Sequence, residues 1–427
     1  MTFMIPADGG LPLPGATPDS PFAADRAGAL AQLAVFLPNA GSHYANERNA
    51  DLGADRRDNV SRLSPALRHR LIDEDEVVRA VLARHAYSSA EKFIQEVCWR
   101  TYWKGWLELR PGVWTMYRAS LDEQFGALGE RDDGTIDRSL RRRWQAAIDG
   151  NTGIDCFDHW AQELRDSGYL HNHARMWFAS IWIFTLNLPW QLGADFFLRH
   201  LLDGDPASNT LSWRWVAGLQ TRGKHYLARA DNIQKYTGNR WWPKGELNET
   251  AGPLPPDELP AAGVLPLADT PTAGRRTALW LHEDDLGAER WNLPAGLALV
   301  AIGGDVVPEA RSWLPVADRV IDWTDRALAD GVARAGARHG VPAQRVRPAE
   351  RHRWLADHGI EQVLTMAATV GPVAEAQAAL DRELAASGIR LVRLRRAWDN
   401  AFWPHAAKGY FQLRERIRPT LAAIGIP

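Results

Sequence analysis

The sequence predicts a mainly α N-terminal domain followed by a C-terminal α/β domain with a parallel sheet. Its 427 residues exceed what one hydrophobic core ordinarily organises, so two domains are expected. From about residue 26 to 240, apolar residues recur at helical spacing with hardly any strand pattern. After a Pro-rich stretch, short apolar runs alternate with helical segments, the pattern of a sheet with crossover helices. The resulting division is an N-terminal extension (1–40), a helical domain (41–245), a linker (246–274) and a Rossmann-like α/β domain with a helical tail (275–427).

The first 25 residues are rich in Pro and Gly and are expected to be irregular. In DEDEVVRAVLARHA, Asp73 as N-cap and Glu76 three positions on read as a capping box. SAEKFIQEVCWRTYWKGWLEL and the segment from Phe157 to Leu202 continue the helical period. Residues 250–274 hold six Pro and no long periodic run, which marks the linker. TALWLH, LALVAIGG, ADRVIDW, EQVLTM and IRLVRL are the expected strands, and WPHAAKGYFQLRERIRPTLAAI the closing helix. No strand is followed by GxGxxG, so a nicotinamide-dinucleotide site is not expected.

Composition narrows the class. The formal charge of −2 means that affinity for nucleic acid would need a local basic patch. Two cysteines, Cys98 and Cys156, offer neither a disulfide framework nor metal-ligand spacing, which suits a reducing cytoplasm. MTFMIPADGG lacks the basic and apolar regions of a signal peptide. The longest apolar run, MWFASIWIFTLNLPW, is too short to span a bilayer and reads as a buried helix. Twenty Trp point to stacking or electron-transfer roles, or to a large aromatic core.

Four segments carry polar groups in patterns that suit a site. In FIQEVCWR, Glu96, Trp99 and Arg100 share one helical face, and in YLHNHARM so do Asn172, Arg175 and Met176. Ser61, Ser64 and Pro65 of NVSRLSPAL combine a helix start with free N–H groups that could cradle phosphate. LLDGDPASNTLSWRW places Asp203 and Asp205 beside Asn209, Trp213 and Trp215. Each has a plain structural reading: an exposed Glu96–Arg100 helix pair, a serine cap, two loop acids, or for the aspartates a metal or glycosidase pair. Their joint occurrence, in a set order, favours a single site.

That ordered set resembles the FAD-binding domain of the DNA photolyase/cryptochrome family over roughly residues 40–235. The motifs are YANERN (44–49) with VSRLSPAL (60–67), EVCWR (96–100), GNTG (150–153), YLHNHARM (169–176) and LLDGDPASNTLSWRW (201–215). The resemblance implies FAD as cofactor. Arg175 would pair with Asp203 beneath the isoalloxazine, Asp205 would lie near ring and ribose, and Asn209 would face the flavin N5. Tyr44, Ser61, Leu63 and Ser64 would hold the phosphates, and Arg48 would be available for DNA phosphate or a structural pair. Trp213 and Trp190 fall on the first two positions of the family's electron-transfer chain. LGERDDGTIDRSL, before Trp144, carries no third Trp. Glu96, Trp99, Arg100, Asn172, Met176 and Trp215 match positions that receive a flipped cyclobutane pyrimidine dimer, with Glu96 and Asn172 bonding the base edges.

The activity implied is that of a deoxyribodipyrimidine photolyase-like lyase. It would use light and reduced FAD to split pyrimidine dimers in DNA, as a cytoplasmic, probable monomer with no membrane partner and no metal. The alternatives are a cryptochrome-type blue-light photoreceptor, or a flavoprotein with a vestigial lesion pocket. Phe93 and Tyr169 stand where the family often has Trp, His173 where Arg is common, and IDCFD follows GNTG in place of YPxVD. Arg214, Arg222, Lys224, Arg229, Lys235 and Arg240, with Tyr226 and Tyr236 interleaved, read as a phosphate-facing stretch or as a solvated helical face. The family places its α/β domain first, whereas here it follows, as in a permuted photolyase or a fusion to a different α/β domain. An antenna chromophore in this domain is implied as an option, with no residue assigned to it.

Overall fold

A computed structural model describes residues 22–130, 136–221 and 223–427. The expectations for the first 21 residues, for 131–135 within LGERDDGTIDRSL and for Arg222 lie outside the described residues.

The helical half begins with α1 (Arg26–Phe36), α2 (Ser42–Glu47), α3 (Ser64–Arg68) and α4 (Glu74–Leu82). The long α5 (Tyr87–Glu108), α6 (Gly112–Leu128), α7 (Arg138–Asp149) and α8 (Asp155–Ser167) follow. α9 (Asn172–Ser180), α10 (Trp190–His200), α11 (Pro206–Ala217) and α12 (Ala230–Tyr236) complete it. α1 lies inside the stretch expected as an extension. Its Ala29, Leu33 and Phe36 recur at i, i+4 and i+7 and are buried, so helical packing starts ahead of residue 41. Asp25 caps α1 by accepting from the Gly28 N–H at 2.7 Å.

At α4 only half of the expected capping box forms. Glu76 accepts from the Asp73 N–H, but the Asp73 carboxylate makes no cap bond and is held by Arg290 at 2.7 Å and Arg396 at 2.8 Å. The apolar run expected as a buried helix is helical over 176–185 but not over 186–189, and Asn187 is exposed. α9 passes into a π-helical turn, Ile181–Thr185, before the chain reverses at Asn187 with φ +49°.

Residues 251–272 contain neither helix nor strand, but they are fastened down. Leu254 N–H bonds the Ala217 carbonyl at 3.0 Å, Gly263 N–H bonds the Leu109 carbonyl at 2.7 Å, and Asp257 takes both guanidinium nitrogens of Arg214 at 2.7 Å. The linker is a strap across the helical half.

The α/β half consists of β1 (Arg276–Leu281), β2 (Ala298–Gly304), α13 (Asp318–His339), β3 (Ala343–Arg345), α14 (Pro348–Asp357), β4 (Gln362–Met366), α15 (Pro372–Ala386) and β5 (Arg390–Leu394). Its sheet is parallel, in the order β3-β2-β1-β4-β5. One expected strand is wrong: ADRVIDW opens α13. Its Val320, Trp323, Thr324, Ala327 and Leu328 are buried at helical spacing, a period visible only in a longer window. β3, three residues with exposed Gln344 and Arg345, carries no apolar run and was not foreseen. The tail returns to the helical half as α16 (Ala397–Phe402) and α17 (Tyr410–Ala423).

The two halves share a polar seam. The turn after β1, His282–Asp285, is fully or nearly buried and meets α3 and the residues after it. Arg68 lies 2.7 Å from Asp284, and Arg70 takes both oxygens of Asp399 at 2.7 and 2.8 Å. Arg311 lies 3.4 Å from Glu283. At Gly371, φ is +147° and a Cβ would stand 2.6 Å from Pro206 Cγ, so only glycine lets α15 approach α11 this closely.

Candidate flavin site

Asp203 and Asp205 close the loop between α10 and α11, and both are buried, at 4% and 1% exposure. Asp205 is the N-cap of α11, accepting from the Ser208 N–H at 2.7 Å, with Pro206 in the first turn. Arg175 lies 3.1 Å from Asp203, and its Nε donates to the Leu170 carbonyl. Ser64 donates to Asp203 as well, which brings the VSRLS segment beside the carboxylates.

Arg100 departs from the expected helix pair. It is directed not at Glu96 but at the aspartates, 3.6 Å from Asp203 and 3.7 Å from Asp205. Lys104, one turn further along α5, is buried 3.6 Å from Asp205, and Arg68 reaches the same carboxylate at 4.0 Å. Burial alone would raise both carboxylate pKa values. Arg175 and then Arg100 outweigh it at Asp203, and Lys104, Arg100 and Arg68 at Asp205, so both are held below the usual range. Lys104 and Arg68 were missed from sequence. Lys104 had a signal, since Glu96, Arg100 and Lys104 stand at i, i+4 and i+8; Arg68 in SPALRHR had none.

These separations of 3.6–4.0 Å are longer than hydrogen bonds. Asp203 Oδ1, Asp205 Oδ2 and Arg100 Nη1 are buried without a hydrogen-bond partner among the described residues. Buried polar atoms of this kind call for a ligand or water. A cluster that offers both acceptors and a donor fits the polar edge of a flavin and its ribose.

The remaining cofactor candidates surround this cluster. Tyr44 is buried against Phe36 and Phe93, with ring centroids 5.9 and 5.2 Å away. Ser61 Oγ accepts from Leu63 N–H at 3.4 Å, and Leu63 is buried. Asn209 is buried and commits one amide hydrogen to the Ala194 carbonyl at 2.7 Å. Trp213 is buried among Phe197, Trp182 and Phe178, its indole N–H unpaired among the described residues. A Cβ at Gly193 would stand 2.3 Å from the Trp213 ring, so this glycine lets the indole lie on α10 one turn from Trp190.

Of the expected lesion-facing residues, Glu96 is 39% exposed and lies 3.8 Å from Arg48. Asn172 is exposed at the start of α9, and Met176 and Trp215 are half-buried. Arg48 beside Glu96 is followed by Asn49, whose carbonyl meets His173 Nδ1 at 2.9 Å, so the end of α2 lies close to the first turn of α9. Trp99 is half-buried and lies flat on Tyr410 of α17, with ring centroids 3.4 Å apart and planes at 11°. Nothing in the sequence pairs positions so far apart.

The basic stretch is not one surface. Arg214 is buried on Asp257 and is lost to any phosphate-facing role, and Tyr226 and Tyr236 pack around His173. Lys224, Arg229 and Lys235 are exposed. At the C-terminal ends of β1 and β2, a cavity of about 50 Å³ is lined by Trp280, His282, Asp305 and Arg351, among others, a volume suited to water rather than a chromophore. Among the described residues no helix is long and apolar enough to cross a membrane.

The helical domain thus holds buried, unpartnered polar groups that fit a flavin, and it is joined to an α/β domain. The family model described as "FAD binding domain of DNA photolyase" matches residues 93–246, so this part of the chain is similar to the FAD-binding domain of the photolyase/cryptochrome family. The cofactor of the domain is FAD. The chain is 32% identical to a deoxyribodipyrimidine photo-lyase of Streptomyces griseus, over 46% of this chain and 41% of that one. It is 31% identical to one of Thermus thermophilus, over 65% and 59%. It thus spans about half the length of these relatives. A solved class III photolyase from Agrobacterium tumefaciens is similar at 28% identity and a TM-score of 0.38, covering 50% of this chain and 43% of that chain.

Proposed function

We propose that this protein is a light-driven, FAD-dependent lyase that splits cyclobutane pyrimidine dimers in DNA. The observation that carries the reading is the buried cluster of Asp203, Asp205 and Arg100 with polar atoms unpartnered among the described residues, with the accessible carboxylate of Glu96 one turn from Arg100 on α5. The similarity to deoxyribodipyrimidine photo-lyases supports it.

When bound, FAD supplies light absorption and the electron. Arg175, Asp203, Asp205 and Arg100 would orient it, with Tyr44, Ser61, Leu63, Ser64 and Asn209 around its remaining edges. Glu96 and Asn172 would bond the edges of the flipped pyrimidines, and Trp99, Trp215 and Met176 would wall the pocket. One electron added to the dimer breaks the two bonds that join the pyrimidines, and the electron then returns, so the reaction is redox-neutral. Exposed Lys224, Arg229 and Lys235 are available to phosphates.

A second reading, a blue-light photoreceptor of the cryptochrome type, draws on one observation. Tyr410 already covers a face of Trp99 at 3.4 Å, the spacing at which a base would stack. The two readings separate on Glu96→Ala. In a lyase this variant keeps FAD and its visible spectrum, while dimers split per absorbed photon fall by up to about 100-fold. Binding to dimer-containing oligonucleotide falls less, because phosphate contacts supply much of the affinity. Wild-type protein with fully reduced FAD that splits no dimers under blue light would transfer the assignment to the photoreceptor.

A further inference from the structure

Trp190 does not end in solvent by itself but begins a second aromatic track. Its ring centroid is 5.5 Å from that of Tyr117 on α6, and Tyr117 is 5.3 Å from Trp114, one turn earlier on the same helix. All three are buried, at 5% exposure or less. The Trp114 indole N–H donates to Glu375 at 2.9 Å, and Glu375 is an exposed residue in the first turn of α15. The track therefore starts in the helical half and is capped by a carboxylate from the α/β half.

We infer that Trp114, hydrogen-bonded to Glu375, is the terminal electron donor of this protein, reached from Trp190 across Tyr117. The inference rests on the light-driven flavin reading, which the lyase and the photoreceptor share. Charge decides where an electron vacancy comes to rest. At Trp190 the Arg214 guanidinium lies over the ring at 5.9 Å with its charge already met by Asp257, so that pair offers the indole no net negative charge. At Trp313, an exposed alternative, Arg118 lies closer still, at 4.7 Å. Arg118 is 5.8 Å from Trp114, but the carboxylate is in direct hydrogen-bond contact. Opposite charge at contact outweighs like charge at twice the distance.

Tyr117 serves as a bridge and not a stop. Its hydroxyl is buried without a hydrogen-bond partner among the described residues, so an oxidised phenol there has no acceptor for its proton. Trp114 has one. The steps balance as follows. One electron reaches the flavin from Trp213, Trp213 is refilled from Trp190, and Trp190 from Trp114. The Trp114 N–H proton passes to Glu375, leaving a neutral indolyl radical and a carboxylic acid. A thiol then returns one electron to Trp114, Glu375 returns the proton, and the thiol leaves as half a disulfide with its own proton released to water.

The test uses the full chain with oxidised FAD, blue light and dithiothreitol, read by transient absorption and electron paramagnetic resonance as well as by flavin bleaching. In the wild type a neutral tryptophanyl radical should appear. Trp114→Phe should abolish it and lower the photoreduction yield, and Glu375→Gln should lower the yield by about tenfold, the factor a charge-assisted hydrogen bond represents. Trp313→Phe should leave both signals as in the wild type. Loss of photoreduction in Trp213→Phe combined with wild-type signals in Trp114→Phe would overturn the assignment while leaving the light-driven reading intact. A wild type that never photoreduces would instead remove the reading on which the inference stands.

Discussion

Asp205→Ala should yield a protein that holds no FAD and is strongly destabilised even without it. The carboxylate faces Lys104 at 3.6 Å, Arg100 at 3.7 Å and Arg68 at 4.0 Å, and it caps α11 through the Ser208 N–H. Its removal leaves buried cations uncompensated, which costs about 3–5 kcal/mol, and loss of the cap adds about 1 kcal/mol. Asp205→Asn separates the two effects. It keeps a capping side chain and most of the shape but not the charge, so its unfolding midpoint should lie between those of the wild type and the alanine variant. Urea titrations of the apo-proteins, with the flavin content of each as purified, provide the check. An alanine variant with the wild-type midpoint and a full complement of FAD would show that the carboxylate has no such role.

Acidification should destabilise the protein in two stages. His171 is buried and its Nδ1 accepts the His173 N–H at 3.2 Å, a bond that requires the neutral ring. Burial pushes its pKa down, and burial with Arg199 and Arg165 pushes His200 down to about 3. Between the ordinary value of about 6.5 and these lowered values, the unfolded chain binds protons that the folded chain refuses, so stability falls as pH drops. Glu108 acts in the opposite sense, because burial raises it to about 7 and its protonation favours the folded state between that value and the carboxylate range. Burial lowers His69 and His173 in the same way as His171 and His200, and raises Glu96 and Glu163 in the same sense as Glu108. The second stage involves Asp284 and Asp285. Burial would raise them, but Arg68 and Arg396 respectively hold both well below the usual range, so their stabilisation is present above about pH 4 and is lost below it. Urea midpoints measured from about pH 8 to 3 should decline first below about 6.5 and more steeply below about 4. A midpoint that stays flat down to about pH 5 would mean that the imidazoles are not held neutral.

What could be read from the residues depended on whether each signal was local. α5 and four of the five strands were legible because periodicity and short apolar runs are properties of neighbouring positions. The Arg175–Asp203 contact was legible only through the resemblance, since 28 positions separate the two. α13 was misread because seven residues of Val, Ile and Trp look alike in a strand and in the buried face of a helix. The plain reading of Arg100 as a helix partner of Glu96 fails because i, i+4 spacing names a neighbour but not a stronger rival, and two buried aspartates outbid a half-buried glutamate. HEDD at the end of β1 carries no local signal of its partners. In the fold its acids meet arginines from α3, the residues after it and the tail, contacts that span more than 100 positions.

Arg68 is shared. It touches Asp205 on one side and Asp284 on the other, so the flavin cluster and the sheet domain have a counter-ion in common. Whatever engages Asp205 alters the field that fastens the end of β1, and whatever loosens β1 frees a cation beside the flavin. Under the proposed function, cofactor loading and domain docking would be thermodynamically linked, each changing the affinity of the other by the same factor. The sheet domain would then act as part of the electrostatic environment of whatever Asp205 holds.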